Sequence, residues 1–149
     1  MARFQYKMQN ILNVKYKLET QAKTAFSVAA AKLMQEEEKL QQLKQQKEAY
    51  EAEAKELVST RLDIFKINQC RQAIEIMKDR IRNQAVAVHV AERNVEAARA
   101  KLNEVMTERK THEKLKEKEF EEFKRELEHE ENKAIDELVS YSYRGRAKR

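Results

Sequence analysis

The chain has 149 residues, of which 31 are Lys or Arg and 26 are Asp or Glu, for a net charge of +5. It contains one glycine, Gly145, and no proline, where average usage gives roughly ten and roughly seven, and this excludes a turn-rich α/β or all-β fold. Charged residues reach 38% and apolar residues 41%, a mixture too polar for a thick globular core and too apolar for disorder, which leaves long amphipathic helices.

In chain order, Phe4, Met8, Ile11, Leu18, Ala22, Ala25 and Ala29 follow alternating steps of four and three, with Lys15 filling one position. The stripe then slips by one residue and resumes at Leu33, Leu40, Leu43, Tyr50, Ala54 and Leu57. This spacing predicts a coiled-coil helix over about 4–57. Val58, Ser59 and Thr60 are poor helix formers in a row, and imperfect capping boxes at Ser59 with Leu62 or Thr60 with Asp63 accompany them, so a tip is expected over about 58–66.

A second stripe, Ile67, Ile74, Met77, Ile81, Val88, Ala91, Val95, Ala98, Leu102 and Val105, predicts a second helix over about 67–141. From Met106 its register shifts by four residues, a stutter, and it continues through Phe120, Phe123, Leu127, Ala134, Leu138 and Tyr141. Gly145 is placed to stop the helix, and 142–149 is expected to be a basic, disordered tail.

Facing residues of an antiparallel hairpin have numbers that add to a constant. Phe4 with Phe120, Ala22 with Leu102, Ala29 with Val95, Leu33 with Ala91, Leu43 with Ile81, Tyr50 with Ile74 and Leu57 with Ile67 all add to 124. The expected fold is therefore all-α, a long antiparallel two-helix coiled-coil hairpin turning at Leu62. The alternative is one long helix pairing with another chain. In the hairpin register the second helix outruns the first from about Phe120, and its unpaired stripe must either fray or bind something.

Catalytic, metal and cofactor sites are not expected. His89, His112 and His129 have no second histidine at helical metal-binding spacing, and Cys70 has no thiol partner. One glycine cannot build a phosphate-cradling loop. Carboxylate runs such as Glu36 to Glu38 sit among Lys and Gln on helix faces, with no cavity to shift their pKa values. The longest uncharged run, Asn83 to Ala91, is nine residues, far below the ~20 needed to span a bilayer. No leader pattern opens the sequence, so a soluble, cytoplasmic protein is expected. The closing "RGRAKR" has two readings: electrostatic capture of nucleic acid or an anionic membrane, or charges that complement a helix dipole and keep its end soluble.

The opening "MARFQYKMQNILNVKYKLETQAKTAF" and the close "KAIDELVSYSYRGR" resemble the ends of FliJ, the small protein of the flagellar type III export apparatus. With the heptads and the central break, the resemblance covers essentially the whole chain. It implies a non-enzymatic, stalk-like coiled coil similar to the central stalk of rotary ATPases. The implied partners are the hexameric export ATPase ring, the cytoplasmic linker of the export gate and export chaperones, with no nucleic acid and with only peripheral membrane association at the flagellar base. The implied ring contact falls on Phe4, Met8, Ile11, Phe123, Leu127, Leu138 and Tyr141. The implied gate contact falls on Leu43, Gln46, Tyr50, Ala73 and Met77, where Gln46 and Ala73 stand in place of aromatics and Met77 in place of Leu. The register itself puts Leu43, Tyr50 and Met77 in the seam, so a packing role for these three stands beside the binding one. A generic cytoplasmic tether or scaffold with a nucleic-acid-binding tail is the alternative function.

Overall fold

The computed structural model describes residues 3–60 and 63–147. Among them there are two helices, α1 over Gln9–Thr60 and α2 over Ile64–Ala147, packed against each other as an all-α hairpin. The expected turn centre, Leu62, lies outside the described residues together with Arg61. Two compact units divide the chain: a terminal unit of Met1–Glu19 with Glu104–Arg149, and a tip unit of Thr20–Asn103.

In the tip unit the tip is tighter than expected. Val58, Ser59 and Thr60 stay helical, with the Ser59 and Thr60 hydroxyls donating to the Glu56 carbonyl at 3.0 and 2.7 Å. The cap is Asp63. Its Oδ1 accepts from the backbone N–H groups of Phe65 and Lys66 at 3.2 and 3.3 Å, the bonds an N-cap side chain makes to otherwise orphaned donors. This starts α2 at Ile64 rather than at about 67.

The α1 seam in this unit runs Ala22, Phe26, Ala29, Leu33, Glu36, Leu40, Leu43, Lys47, Tyr50, Ala54 and Leu57, all buried or half-buried. It is one unbroken heptad, without the expected slip before Leu33. Phe26 holds the position expected of Ala25, which is exposed, and its ring lies 5.7 Å from the Arg99 guanidinium carbon. The facing α2 seam contains every residue predicted from Ile67 to Leu102, completed by Cys70 and Gln84. Glu36 is buried because Gln84 Nε2 donates to its carboxylate at 2.5 Å and to its backbone carbonyl at 2.9 Å.

The terminal unit departs further from expectation. Residues 3–6 are not helical, so the helix predicted from Phe4 begins at Gln9, whose N–H donates to the Tyr6 carbonyl at 3.1 Å. The α1 seam here is Leu12, Lys15 and Glu19, while Met8, Ile11 and Leu18 are exposed. Leu12 is 1% accessible and Ile11 42%. The apparent slip in the sequence came from taking Ile11 and Leu18 for the seam, one position before its real members. On α2 the register expected from Met106 is populated, since Met106, Arg109, Glu113, Lys116, Phe123 and Leu127 are half-buried at its spacing, while His112 keeps the earlier register for one more turn beyond Val105. The helix then runs past Tyr141 and through Gly145 to Ala147. Gly145 does not adopt a positive φ, so it does not form the left-handed stop that was expected of it. Lys148 and Arg149 lie outside the described residues.

Contacts in both units follow the antiparallel register. In the terminal unit the residue numbers of contacting pairs add to between 123 (Lys15 with Glu108) and 129 (Tyr16 with Glu113). In the tip unit they add to 120 (Glu36 with Gln84) and 125 (Phe26 with Arg99).

Candidate functional site

The terminal unit carries the residues expected at a ring contact, in three different environments. Phe4 is half-buried in the non-helical segment, with its ring centroid 5.1 Å from that of Phe120, edge-on, and 5.5 Å from that of Phe123. Arg3, Phe4 and Lys7 share an open groove with Glu119, Glu122 and Glu126, so a basic segment lies along an acidic edge of α2. Phe123 and Leu127 are half-buried. The unpaired stretch of α2 therefore begins after Leu127 and not at Phe120, because Phe4 covers Phe120 and Phe123. Ile11 sits on the exposed flank of α1, and Met8, in the turn before it, is exposed as well.

From Glu128 to Gly145 every residue of α2 is exposed, a length of about 27 Å at 1.5 Å per residue. Helical periodicity puts Leu127, Ala134, Leu138 and Tyr141 within an arc of about 60° that continues the line of Phe123. Leu138 and Tyr141 are 68% and 79% accessible. Ile135 and Val139, also exposed, widen the stripe on one side. The sequence reading missed these two, although their four-residue spacing beside Ala134 and Leu138 was available as a signal.

Charge changes along the same stretch. Between 126 and 137 there are six carboxylates, Glu126, Glu128, Glu130, Glu131, Asp136 and Glu137, against the single Lys133, whereas Arg144 begins a basic segment.

Deeper in the terminal unit a polar layer replaces apolar packing. Arg109 donates from Nε and Nη2 to Glu19 at 2.5 and 3.3 Å, and from Nη1 to Glu113 at 2.9 Å. The Tyr16 hydroxyl donates to Glu113 at 2.5 Å, and Lys15 Nζ pairs with Glu108 at 2.9 Å. The Tyr16 bond holds the Glu113 carboxyl below its ordinary range and raises the Tyr16 hydroxyl. The bond to Glu19 raises Arg109. Glu19 is buried at 6% accessibility, which a carboxylate tolerates only with such partners. The layer explains how a glutamate occupies the seam position that apolar periodicity alone assigns to Leu18, and how Lys15 is accommodated beside it.

In the tip unit, Tyr50 and Ala73 of the expected gate contact line one open groove with Glu53, Leu57, Gln69 and Cys70. Leu43 is half-buried in the seam, Met77 is buried and Gln46 is exposed. The structure thus brings Tyr50 and Ala73 together on a surface and gives Leu43 and Met77 packing positions.

Among the described residues no group of three His, Cys, Asp or Glu side chains is arranged to hold a metal ion, and no helix is long and apolar enough to cross a membrane. Two packed helices, with an apolar stripe of α2 exposed over 128–145, define an all-α helical hairpin. The model of the family described as "Flagellar FliJ protein" matches residues 4–148. The chain belongs to that family, whose members are non-enzymatic components of the flagellar export apparatus. No curated protein and no solved structure matches it.

Proposed function

We propose that the protein acts as a stalk within the export apparatus, docking the bare end of α2 in the pore of the hexameric export ATPase and helping to couple ATP hydrolysis to export. The observation that carries this reading is the stretch 128–145, where the apolar spacing continues while every residue is exposed. A helix face of this kind is suited to insertion in an apolar groove. Leu127, Leu138 and Tyr141 form the proposed contact, with Phe4 and Phe123 bracing its base and Met8 and Ile11 on its flank. The groove of Tyr50 and Ala73 is the proposed surface for the export-gate linker, with Leu43 and Met77 supporting it from the seam. Export chaperones are further partners, and the protein works at the cytoplasmic face of the membrane at the flagellar base, supporting flagellum assembly and motility. Six carboxylates between 126 and 137 argue against nucleic acid as the partner of the stripe.

The test is stimulation and oligomerisation of the cognate export ATPase by the wild-type protein and by Leu138→Asp and Tyr141→Asp. Both variants are expected to lose most of the stimulation while keeping wild-type helix content. Wild-type stimulation by both overturns the docking assignment.

A further inference from the structure

The bare end of α2 is complementary to itself when reversed. We propose that, in the absence of a partner, this end pairs with the same segment of a second copy of the chain as a short antiparallel coiled coil. The proposal uses the geometry and charge of the stretch alone and does not depend on the ring-docking reading.

Three observations lead to a second copy as the occupant. The first is register. Within the hairpin, equal steps on the two helices face each other so that facing numbers add to a constant, and pairing the six seam positions 127, 131, 134, 138, 141 and 145 of two copies in the same way gives facing residues whose numbers add to 272. Ala134 then faces Leu138 of the second copy, Tyr141 faces Glu131, and Leu127 faces Gly145, each contact occurring twice by symmetry. The small Ala134 meets the large Leu138. Gly145 has nothing within 4 Å of where a Cβ would stand, which leaves room for Leu127.

The second observation is charge. Glu130 flanks Arg144 of the second copy on both sides of the dyad, an attractive pair that occurs twice. A parallel pair would instead stack Glu130 on Glu130 and Glu131 on Glu131, so the charge pattern selects the antiparallel arrangement.

The third is the dyad itself, where the exposed Ile135 meets its own symmetry mate. Glu137 also meets its mate there, and that contact is repulsive. The seam covers under three heptads, so the dimer is weak and concentration-dependent. It hides Leu138 and Tyr141, and self-association therefore competes with any partner for the same stripe.

Sedimentation equilibrium of the full chain, from low micromolar to near-millimolar concentration, tests the proposal. A reversible monomer–dimer equilibrium is expected. Arg144→Glu and Glu130→Arg each weaken it about tenfold, since two attractive pairs become repulsive. The Glu130→Arg/Arg144→Glu double variant restores it, and Glu137→Gln strengthens it. In a Cys70→Ala background a short bismaleimide crosslinks Ile135→Cys but not Leu127→Cys, whose symmetry mate lies about 27 Å away along the axis.

A chain that stays monomeric throughout the range overturns the proposal. So does a double variant no better than the singles, or a Leu127→Cys crosslink, which would mean a parallel pair. Failure here leaves the ATPase assay unaffected, and the double variant, which keeps Leu138 and Tyr141, separates the two outcomes.

Discussion

Two stretches of α2 follow the same spacing and meet different fates. From Ile67 to Leu127 the apolar stripe is covered, in the tip unit by the α1 seam and in the terminal unit by α1 and the Phe4 segment. From Glu128 to Gly145 the stripe continues with Ala134, Leu138 and Tyr141, and none of the described residues covers it. The difference teaches that heptad periodicity records a helix designed to pair, without recording whether the partner lies in the same chain. The covered stretch also takes in polar seam residues such as Arg109 and Gln84, which specific partners across the seam satisfy. The bare stretch is under no such demand, and its charges are all solvated.

The largest contrast is expected from paired alanine substitutions. Leu12→Ala, at the most buried position of α1, should cost about 2–3 kcal/mol in chemical denaturation. Leu138→Ala, on the bare stretch, should stay within about 0.5 kcal/mol. Equal losses would mean that the bare stretch is packed within the monomer, and the contrast would collapse.

Next in size is the polar layer. Arg109→Met leaves the Glu19 carboxylate buried without its guanidinium, and Glu19→Leu with Arg109→Met removes both charges. The single variant should melt well below wild type, and the double variant should recover most of the loss. If the double melts lower than the single, the layer stabilises the seam in its own right instead of merely satisfying itself.

A smaller effect is expected at the tip. Asp63→Ala removes the acceptor of the Phe65 and Lys66 N–H groups and should cost about 1 kcal/mol, with Asp63→Asn nearly neutral. Matching losses for the two would show that the side-chain cap contributes little.

The smallest effect concerns pH. The bond from Gln84, aided by Lys32, holds the Glu36 carboxyl below its ordinary value of 4.5. A carboxyl whose pKa is lowered on folding contributes stability above that ordinary value and loses it as pH falls through the lowered one. Melting temperature should therefore fall below about pH 4.5, and Glu36→Gln should flatten part of that slope. Parallel pH profiles for the two proteins would show that Glu36 is not a source of the acid sensitivity.

The hairpin and nearly the whole α2 seam were legible in the sequence, because a strict 3–4 repeat of Ile, Val, Ala and Leu leaves one helical face to bury, whereas the contacting pairs scatter between 120 and 129 around the expected sum of 124. Three kinds of detail were not. The α1 seam was misplaced at Ile11 and Leu18, because one-body hydrophobicity cannot tell Ile11 from Leu12 and penalises Glu19, whose burial depends on Arg109 about ninety residues away. The first turn of the expected helix was wrong, because Phe4 packs on Phe120 and Phe123, more than a hundred residues away in sequence. The tip was drawn too wide, because weak propensity at Val58 to Thr60 did not end α1 and the Asp63 cap starts α2 at Ile64. At the candidate contact, Leu138 and Tyr141 were found from spacing alone, whereas Ile135 and Val139 emerged only once the exposure of the whole stretch was seen.

The sequence by itself determined the class of structure and the direction of pairing, because both follow from local periodicity, the scarcity of turn residues and a single break. The tertiary structure decided which polar residues enter the seam and where the intramolecular partner ends. Those outcomes depend on pairs of side chains distant in sequence, whose desolvation is offset only by each other.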